Sequence, residues 1–429
     1  MRRLSALAFS LAAASALAVP TATIQSFTQA ADRTVTLTYT LDAPAIVTLA
    51  MEAEVAGTWQ PLDGAALWNA AGDVNRQVAA TGPGEVRTIE WKPDYNKACA
   101  PLGSASLRPI VTTWPVDDPP DYMVVDLAVE SDARVRYYAT TNALPGGLLD
   151  NQAYRTTLLV MRKVPAKGVT WTMGSEGESG RNPDAGSGND PEKTHEVAFD
   201  SNYWMAIFPT TQGQWAMVMG TARSATHIGQ PRLLRPMESV CYCDVRESTS
   251  QSENAAYQYP NGPCPDSFLG VLRRRSGLDF DLPSDAEWEY ACRAGNGEGL
   301  WGNGKTYENR NSCDDRVPGR YQYNQPTSTR TTAPVGSYEP NSWGIYDMHG
   351  NVFEWCLDWY KDDITTLGGA VNVAGGKYSG SVKMRIRRGG SFTLPVAYLR
   401  SACRYMDPST SRNQQNGFRV KLGAAISAQ

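Results

Sequence analysis

Residues 282–295 read Leu282-Pro283-Ser284-Asp285-Ala286-Glu287-Trp288-Glu289-Tyr290-Ala291-Cys292-Arg293-Ala294-Gly295, a helix written with both of its stops. Ser284 is placed to cap the amide of Glu287 while Glu287 reaches back to Ser284, a reciprocal capping box. Trp288, Ala291 and Cys292 then fall on one face at i, i+3, i+4, and Gly295 ends the element as the residue just past its C-terminus. Two other short helices are predicted. One lies in 210–220, where a Thr cap precedes Trp215, Val218 and Met219, and one in 266–276, whose Arg273-Arg274-Arg275 run reads as a solvated end. With 38 Gly and 27 Pro in 429 residues, the rest of the chain is rich in turns, so helix content is modest and the expected class is α+β.

Composition narrows the function classes. There are 40 Lys+Arg against 44 Asp+Glu, a net charge of −4, so the chain carries no electrostatic footprint for nucleic acid. Apolar residues make up 41%, including 12 Trp, 20 Tyr and 9 Phe, enough for packed cores and too much for a disordered chain. Three His (His195, His227, His349) cannot build a His-rich metal centre. His349, on a loop, is expected to face solvent and is given no role.

The N-terminus has the form of an export signal: Met1-Arg2-Arg3, an apolar stretch over 4–18, then Ala16-Leu17-Ala18 as the small-x-small cleavage pattern. Residues 1–18 are therefore expected to be removed, placing the protein in the periplasm or outside the cell with a net charge of −6 once the two arginines are lost. The apolar stretch is shorter than the roughly 20 residues that span a bilayer, so no transmembrane anchor is expected. Export permits disulfides among the eight cysteines, Cys99, Cys241, Cys243, Cys264, Cys292, Cys313, Cys356 and Cys403, but spacing alone does not pair them.

From 19 to 130 the chain alternates. In 34–41, Val35, Leu37, Tyr39 and Leu41 share one face and threonines the other, a half-buried strand. Runs at 45–52, 86–91, 107–114 and 123–129 behave similarly, with turns at 81–84 and 117–120, so a β-sandwich of immunoglobulin or fibronectin type is predicted. Residues 131–158 are read as a connecting hairpin, flanked by strand-like runs at 135–139 and 157–162. A larger domain follows over 159–423, and 424–429 is a tail.

Within that larger domain four more motifs occur in order: Pro334-Val335-Gly336-Ser337; the run from Pro340 to Trp355 containing Gly344-Ile345-Tyr346-Asp347-Met348-His349-Gly350-Asn351-Val352-Phe353-Glu354-Trp355; Arg388-Gly389-Gly390-Ser391; and Gly417-Phe418-Arg419-Val420. Together with 282–295 they resemble the formylglycine-generating-enzyme, or sulfatase-modifying-factor, family across 159–423. The resemblance implies a compact, irregular α+β domain related to the C-type lectin core. It includes a copper-dependent oxidase that converts a sulfatase cysteine to formylglycine, an iron-bearing sulfoxide-synthase branch, and lectin-like binders. The iron branch needs a separate His-bearing helical domain, which three scattered His cannot supply.

Residue by residue, the resemblance carries a calcium site onto the Asp347 side chain, the Gly350 and Val352 carbonyls and the Glu354 side chain. Two carboxylates around a Gly-Asn turn supply the hard oxygen ligands that calcium takes. A second family calcium site falls near 327–332, where the sequence Thr-Ser-Thr-Arg-Thr-Thr lacks the acidic ligand. The oxidase holds Cu(I) with two cysteines five residues apart after its Gly-Gly-Ser, because a soft ion prefers thiolates. Here Leu394 stands at the first of those positions, no cysteine occurs before Cys403, and Phe353 replaces a tryptophan of the family pattern, so copper is not expected. The resemblance also implies a disulfide between Cys292 and Cys403. Cys241-Tyr242-Cys243, read as a strand, places two thiols on one face. They are assigned to separate disulfides in preference to a metal.

Three functions follow. The favoured one is an exported member that is not a copper oxidase and acts as a ligand-binding or accessory module for an unidentified protein or glycan. The second is a formylglycine-generating oxidase. The third is a diversified lectin-like binder whose loop 392–416 forms the ligand surface, with Ser391, Leu394, Tyr398 and Tyr405 as candidate contacts.

Overall fold

The computed structural model describes the chain except for residues 1–18, 33, 63–69, 93–105, 130–133, 176–191, 221–231, 249–252, 297–316, 326–329, 361–383 and 424–429. The expected export signal, Cys99, Cys313, His227 and half of the second calcium stretch lie outside the described residues. Among the described residues the protein is mostly β, with three α-helices of eight or nine residues, and no helix is long and apolar enough to cross a membrane.

The first part of the chain forms two antiparallel sheets. One orders Ala22–Gln29, Val35–Leu41, Arg87–Trp91 and Ala70–Gly72; the other sets Thr58–Pro61, Arg76–Val78 and Leu107–Trp114 against Ala45–Val55. The predicted alternation holds: Val35, Leu37, Tyr39 and Leu41 are buried and pack with Ala45, Val47, Leu49, Met51, Ile89 and Trp91 of both sheets. A period of two is what a sheet with one covered face requires.

The boundary differs from the expected one. Tyr122–Asp126, expected to close the sandwich, pairs instead with Leu158–Val164 and with Val135–Tyr138. These belong to a six-stranded antiparallel sheet that continues through Tyr203–Ala206, Lys421–Gly423 and Phe280–Asp281. The physical reason is visible in the run Tyr122-Met123-Val124-Val125, buried on both faces. A continuous apolar run marks an interior strand, whereas the sandwich strands alternate.

A second, four-stranded sheet carries the family motifs. Phe353–Trp359 pairs antiparallel with Met384–Arg388, which pairs with Tyr405–Pro408, while Asn416–Gly417 runs parallel to Phe353–Trp359. The helix Asp285–Cys292 packs beside this sheet with every residue buried, and Ser284 and Glu287 form the predicted capping box at 3.2 and 2.8 Å. Thr211 caps Gln212–Met219 in the same way, and Ser267 caps Phe268–Ser276. The Arg273–Arg275 run is not a solvated end. Arg273 pairs with Asp281 at 3.1 Å, and Arg275 donates to the carbonyls of Met217, Val218 and Leu127, so the run staples its helix to neighbouring elements.

Candidate functional site

The turn from Asp347 to Glu354 is built on left-handed backbone. Asp347, Gly350 and Asn351 have φ of 56°, 92° and 66°. At Gly350 a Cβ would lie 2.1 Å from the Arg320 carbonyl oxygen, so no other residue fits there. Asn351, fully buried, holds the turn to the neighbouring extended segment: its Oδ1 accepts from Ala333 N at 2.9 Å and its Nδ2 donates to Ala333 O at 3.2 Å. Short polar side chains tolerate this conformation.

The two expected calcium carboxylates stand in different surroundings. Asp347 is buried, its Oδ2 accepts from Gly336 N at 2.7 Å, and burial pushes its carboxyl up to about 6 against the favourable bond from Gly336. A buried carboxylate with so little compensation fits a hard cation. Glu354 does not. Its Oε1 accepts from Arg419 at 2.7 Å, and its Oε2 accepts from Arg419 Nε and Trp288 Nε1, both at 2.6 Å. Arg419 spends its remaining donors on the carbonyls of Ala206 and Tyr346, 2.9 Å each. A guanidinium already neutralises Glu354, and a second cation against it would be repelled. Among the described residues no three His, Cys, Asp or Glu side chains converge as a metal cluster.

A buried ionic lattice joins the capped helix to the Gly389-Gly390-Ser391 segment. Arg388, fully buried, donates to Asp285 and to Glu289 at 2.9 Å, and its remaining nitrogen reaches the carbonyls of Ser401 and Cys403 at 3.0 and 3.3 Å. Arg404 takes the other Asp285 oxygen at 2.7 Å. Burial alone would raise the Asp285 carboxyl, but the two guanidinium groups hold it below its ordinary value. Gly390, at φ 75°, passes so close to this loop that a Cβ would meet the Tyr398 carbonyl oxygen at 2.8 Å.

Beyond Ser391 the chain presents carbon where the oxidase pattern has thiolates. Leu394, partly buried, packs with Val317, Tyr321, Val396, Tyr398 and Leu399. Leu399, five residues after Leu394, is fully buried, so neither position offers a ligand to copper. Beside them is an aromatic and polar patch. Phe353 and Tyr405 lie 5.0 Å apart between ring centroids, and Tyr405 and Tyr398 5.7 Å. Arg387 sits 4.2 Å over the Phe353 ring and pairs with Asp407 at 3.0 Å. Ser391 Oγ donates to Gln415 Oε1 at 2.9 Å, and its contact with Thr393 Oγ1 is 3.0 Å. Three of the four residues expected at a ligand surface, Leu394, Tyr398 and Tyr405, are partly exposed, whereas Ser391 is buried and acts from beneath.

His349 is not at the surface. It is buried, Nδ1 donates to the Leu399 carbonyl at 2.8 Å, Nε2 lies 3.7 Å from Cys292 Sγ, and burial lowers its pKa to about 4. The reason is the left-handed turn around it, which folds the loop inward, and Gly319 packs against its backbone. Cys292 and Cys403, expected to bridge, are free buried thiols here; Cys292 Sγ lies 3.5 Å from Ser401 Oγ, and burial pushes its thiol up to about 12. Cys241 and Cys243 are also free and buried, and they lie in a helical turn, Tyr242 at φ −53° and ψ −40° leading into Cys243–Glu247, rather than on the expected strand. Asp244 sets this local structure by accepting from the Cys241 amide at 3.0 Å.

Sequence reasoning assigned no role to Arg419, Arg388 or Asn351. All three sit inside quoted motifs, and the signal of the two arginines was a charge flanked by glycine or aromatic residues, where an exposed charge would be out of place.

Residues 157–423 match the Sulfatase-modifying factor enzyme 1-like domain. Among curated proteins, the formylglycine-generating enzyme of Streptomyces coelicolor is 34% identical over 154 residues, 34% of this chain and 48% of that protein. The chaperone protein LppX of Paenibacillus barcinonensis is 30% identical over 186 residues, 38% of this chain and 64% of that protein. The chain thus spans about half to two thirds of the length of these relatives. Among solved structures, PvdO from Pseudomonas aeruginosa is similar at a TM-score of 0.46 and 24% identity, covering 62% of this chain and 94% of that one. With three of its motifs entering one sheet and its helix cap, ion lattice and glycine-lined turn in place, the chain belongs to the sulfatase-modifying-factor family through residues 157–423.

Proposed function

We propose that this protein is an exported, non-oxidase member of its family that works as a ligand-binding or accessory module. The observation that carries the reading is the apolar packing of Leu394 and Leu399, where copper-binding thiolates are needed. Oxygen activation on a cysteine substrate requires a redox metal, and aliphatic carbon cannot hold one. What this chain does offer at the same place is a platform of Tyr398 and Tyr405, backed by the buried Phe353 and bordered by Arg387, Thr393 and Gln415. Aromatic faces with adaptable polar neighbours on a rigid sheet suit recognition of a sugar face or a peptide. A relative named as a chaperone protein supports an accessory role, and the cleavable-signal pattern at 1–18 supports export.

Calcium remains part of the proposal on a narrower basis. Asp347 is the side chain through which it would act, in the turn with the Gly350 and Val352 carbonyls, while Glu354 is engaged by Arg419. There the ion would supply the compensating charge that the buried Asp347 carboxylate lacks.

The binding reading is tested with the full chain on an oligosaccharide array and against a cysteine-containing peptide, comparing wild type with Tyr398→Ala and Tyr405→Ala. Retention of a glycan or the peptide by wild type and its loss in both variants, with unchanged melting temperature, is the expected result. Equal retention by all three proteins would remove the patch from the account.

A further inference from the structure

The surface around Tyr405 holds its polar groups in one fixed arrangement, and that arrangement selects a class of ligand. Tyr405 and Asp407 are two residues apart on the strand Tyr405–Pro408, so their side chains leave the same face about 6.8 Å apart. Arg387 stands opposite Tyr405 on the paired strand Met384–Arg388. Its guanidinium lies 4.2 Å over the buried Phe353 ring, and Nη1 pairs with Asp407 Oδ2 at 3.0 Å and donates to Asn416 Oδ1 at 2.6 Å. Asp407 Oδ2 also accepts from Asn413 Nδ2 at 3.1 Å and from Asn416 Nδ2 at 3.0 Å. Three side chains thus fix this carboxylate beside the Tyr405 ring.

The remaining bonding capacity faces outward. Among the described residues no donor reaches Asp407 Oδ1, and 17% of the Asp407 side chain is exposed. Gln415 is similar: Oε1 accepts from Ser391 Oγ at 2.9 Å, the backbone amide donates to Asn413 Oδ1 at 2.9 Å, and Nε2 has no acceptor among the described residues. The patch therefore offers an ionised acceptor, a neutral amide donor and the half-buried Tyr398 and Tyr405 rings, 5.7 Å apart.

Charge limits what fits there. Arg387 and Asp407 cancel each other, and Arg412, further along the same loop, is paired with Asp244 at 2.7 Å through Nε. An acidic ligand would be repelled by Asp407, and a basic one would compete with Arg387 for it. A sugar hydroxyl meets neither obstacle, because it donates to one partner and accepts from another without carrying charge.

We propose, resting on the binding reading above, that the ligand of this surface is an uncharged sugar unit whose apolar face lies on Tyr398 and Tyr405, with one hydroxyl donating to Asp407 Oδ1 and another accepting from Gln415 Nε2. The carboxylate is already held in place, so little rotamer freedom is lost on binding. A bond to an ionised acceptor is stronger than one to a neutral group, so Asp407 contributes more to recognition than Gln415.

The full chain is passed over an array of neutral oligosaccharides ending in glucose, galactose, mannose or N-acetylglucosamine, beside sialylated and sulfated ones and the cysteine-containing peptide, at about 0.05 and 0.5 M NaCl. Wild type should retain one or more neutral sugars equally at both salt concentrations. In Asp407→Asn the three donors claim the amide oxygen and turn the nitrogen toward the ligand, so the same sugar should bind about tenfold more weakly. Gln415→Met keeps the side-chain length without the amide and should weaken it about fivefold; if Asp407→Asn melts well below wild type, Gln415→Met alone decides. Retention of only the sialylated or sulfated sugars or the peptide, or retention lost at high salt, overturns the uncharged-sugar assignment and leaves the binding surface standing. Neutral sugars held as tightly by both variants as by wild type overturn the roles of Asp407 and Gln415. Binding to nothing on the array fails the binding reading itself, and this inference with it.

Discussion

Replacing Arg419 by Met keeps most of the side-chain volume but removes the cation that, among the described residues, is in contact with Glu354. Both partners are fully buried, and three of the bonds that hold the Glu354 carboxylate, two from Arg419 and one from Trp288, are 2.6 or 2.7 Å long. Breaking a buried pair by deleting one member costs about 3–5 kcal/mol, because the remaining charge is left without compensation. The carbonyls of Ala206 and Tyr346 lose their donors as well. For a domain of this size each kcal/mol moves the melting temperature by about 2–4 °C, so Arg419→Met should melt roughly 6–20 °C lower. Adding Glu354→Gln to it removes the orphaned charge and should recover part of the loss, a coupling that a double-mutant cycle in urea measures directly. Excess calcium should not restore Arg419→Met if the guanidinium is what Glu354 is built for. A loss below about 1 kcal/mol, or full rescue by calcium, would refute the assignment of Arg419 as the cation at this carboxylate.

Two further outcomes follow from the same turn. Chelation with EGTA should lower the melting temperature of the wild type but not of Asp347→Asn, by up to about 2.7 kcal/mol at a hundredfold excess of calcium over Kd; identical responses would place no calcium at Asp347. His349 is neutral and buried, with its pKa lowered from 6.5 to about 4. As pH falls below 6.5 the unfolded chain takes up a proton that the native state refuses until pH 4, so stability present above 6.5 is lost across that window, about 3 kcal/mol in all. His349→Gln should lack this loss, and urea titrations showing parallel pH curves for the two proteins would contradict it.

Local signals made much of the fold legible. The capping box at Ser284 and Glu287 specifies its helix from four residues, and the alternation at Val35–Leu41 specifies its exposed and covered faces. The strand at Tyr122–Asp126 was placed in the wrong sheet because a doubly buried run says only that it is interior, and its partners at Leu158–Val164 and Val135–Tyr138 are set by tertiary packing. At the site, the carbon character of Leu394 was readable from one position. The neutralisation of Glu354 was not, since Arg419 is 65 residues away and meets it only across the sheet. His349 went astray for a similar reason: a loop histidine is ordinarily exposed, and only the left-handed turn at Asp347 and Asn351 turns it inward.

The central claim is that the surface around Leu394 and Leu399 does no copper chemistry, and the most direct test is turnover. Purified full-length protein is incubated with Cu(I), oxygen, a reductant and a cysteine-containing sulfatase-derived peptide, and conversion of the cysteine to the aldehyde is followed by mass spectrometry. The account predicts no aldehyde above the copper-only control, and no change on Leu394→Ala. Aldehyde formation that scales with both protein and copper would contradict it.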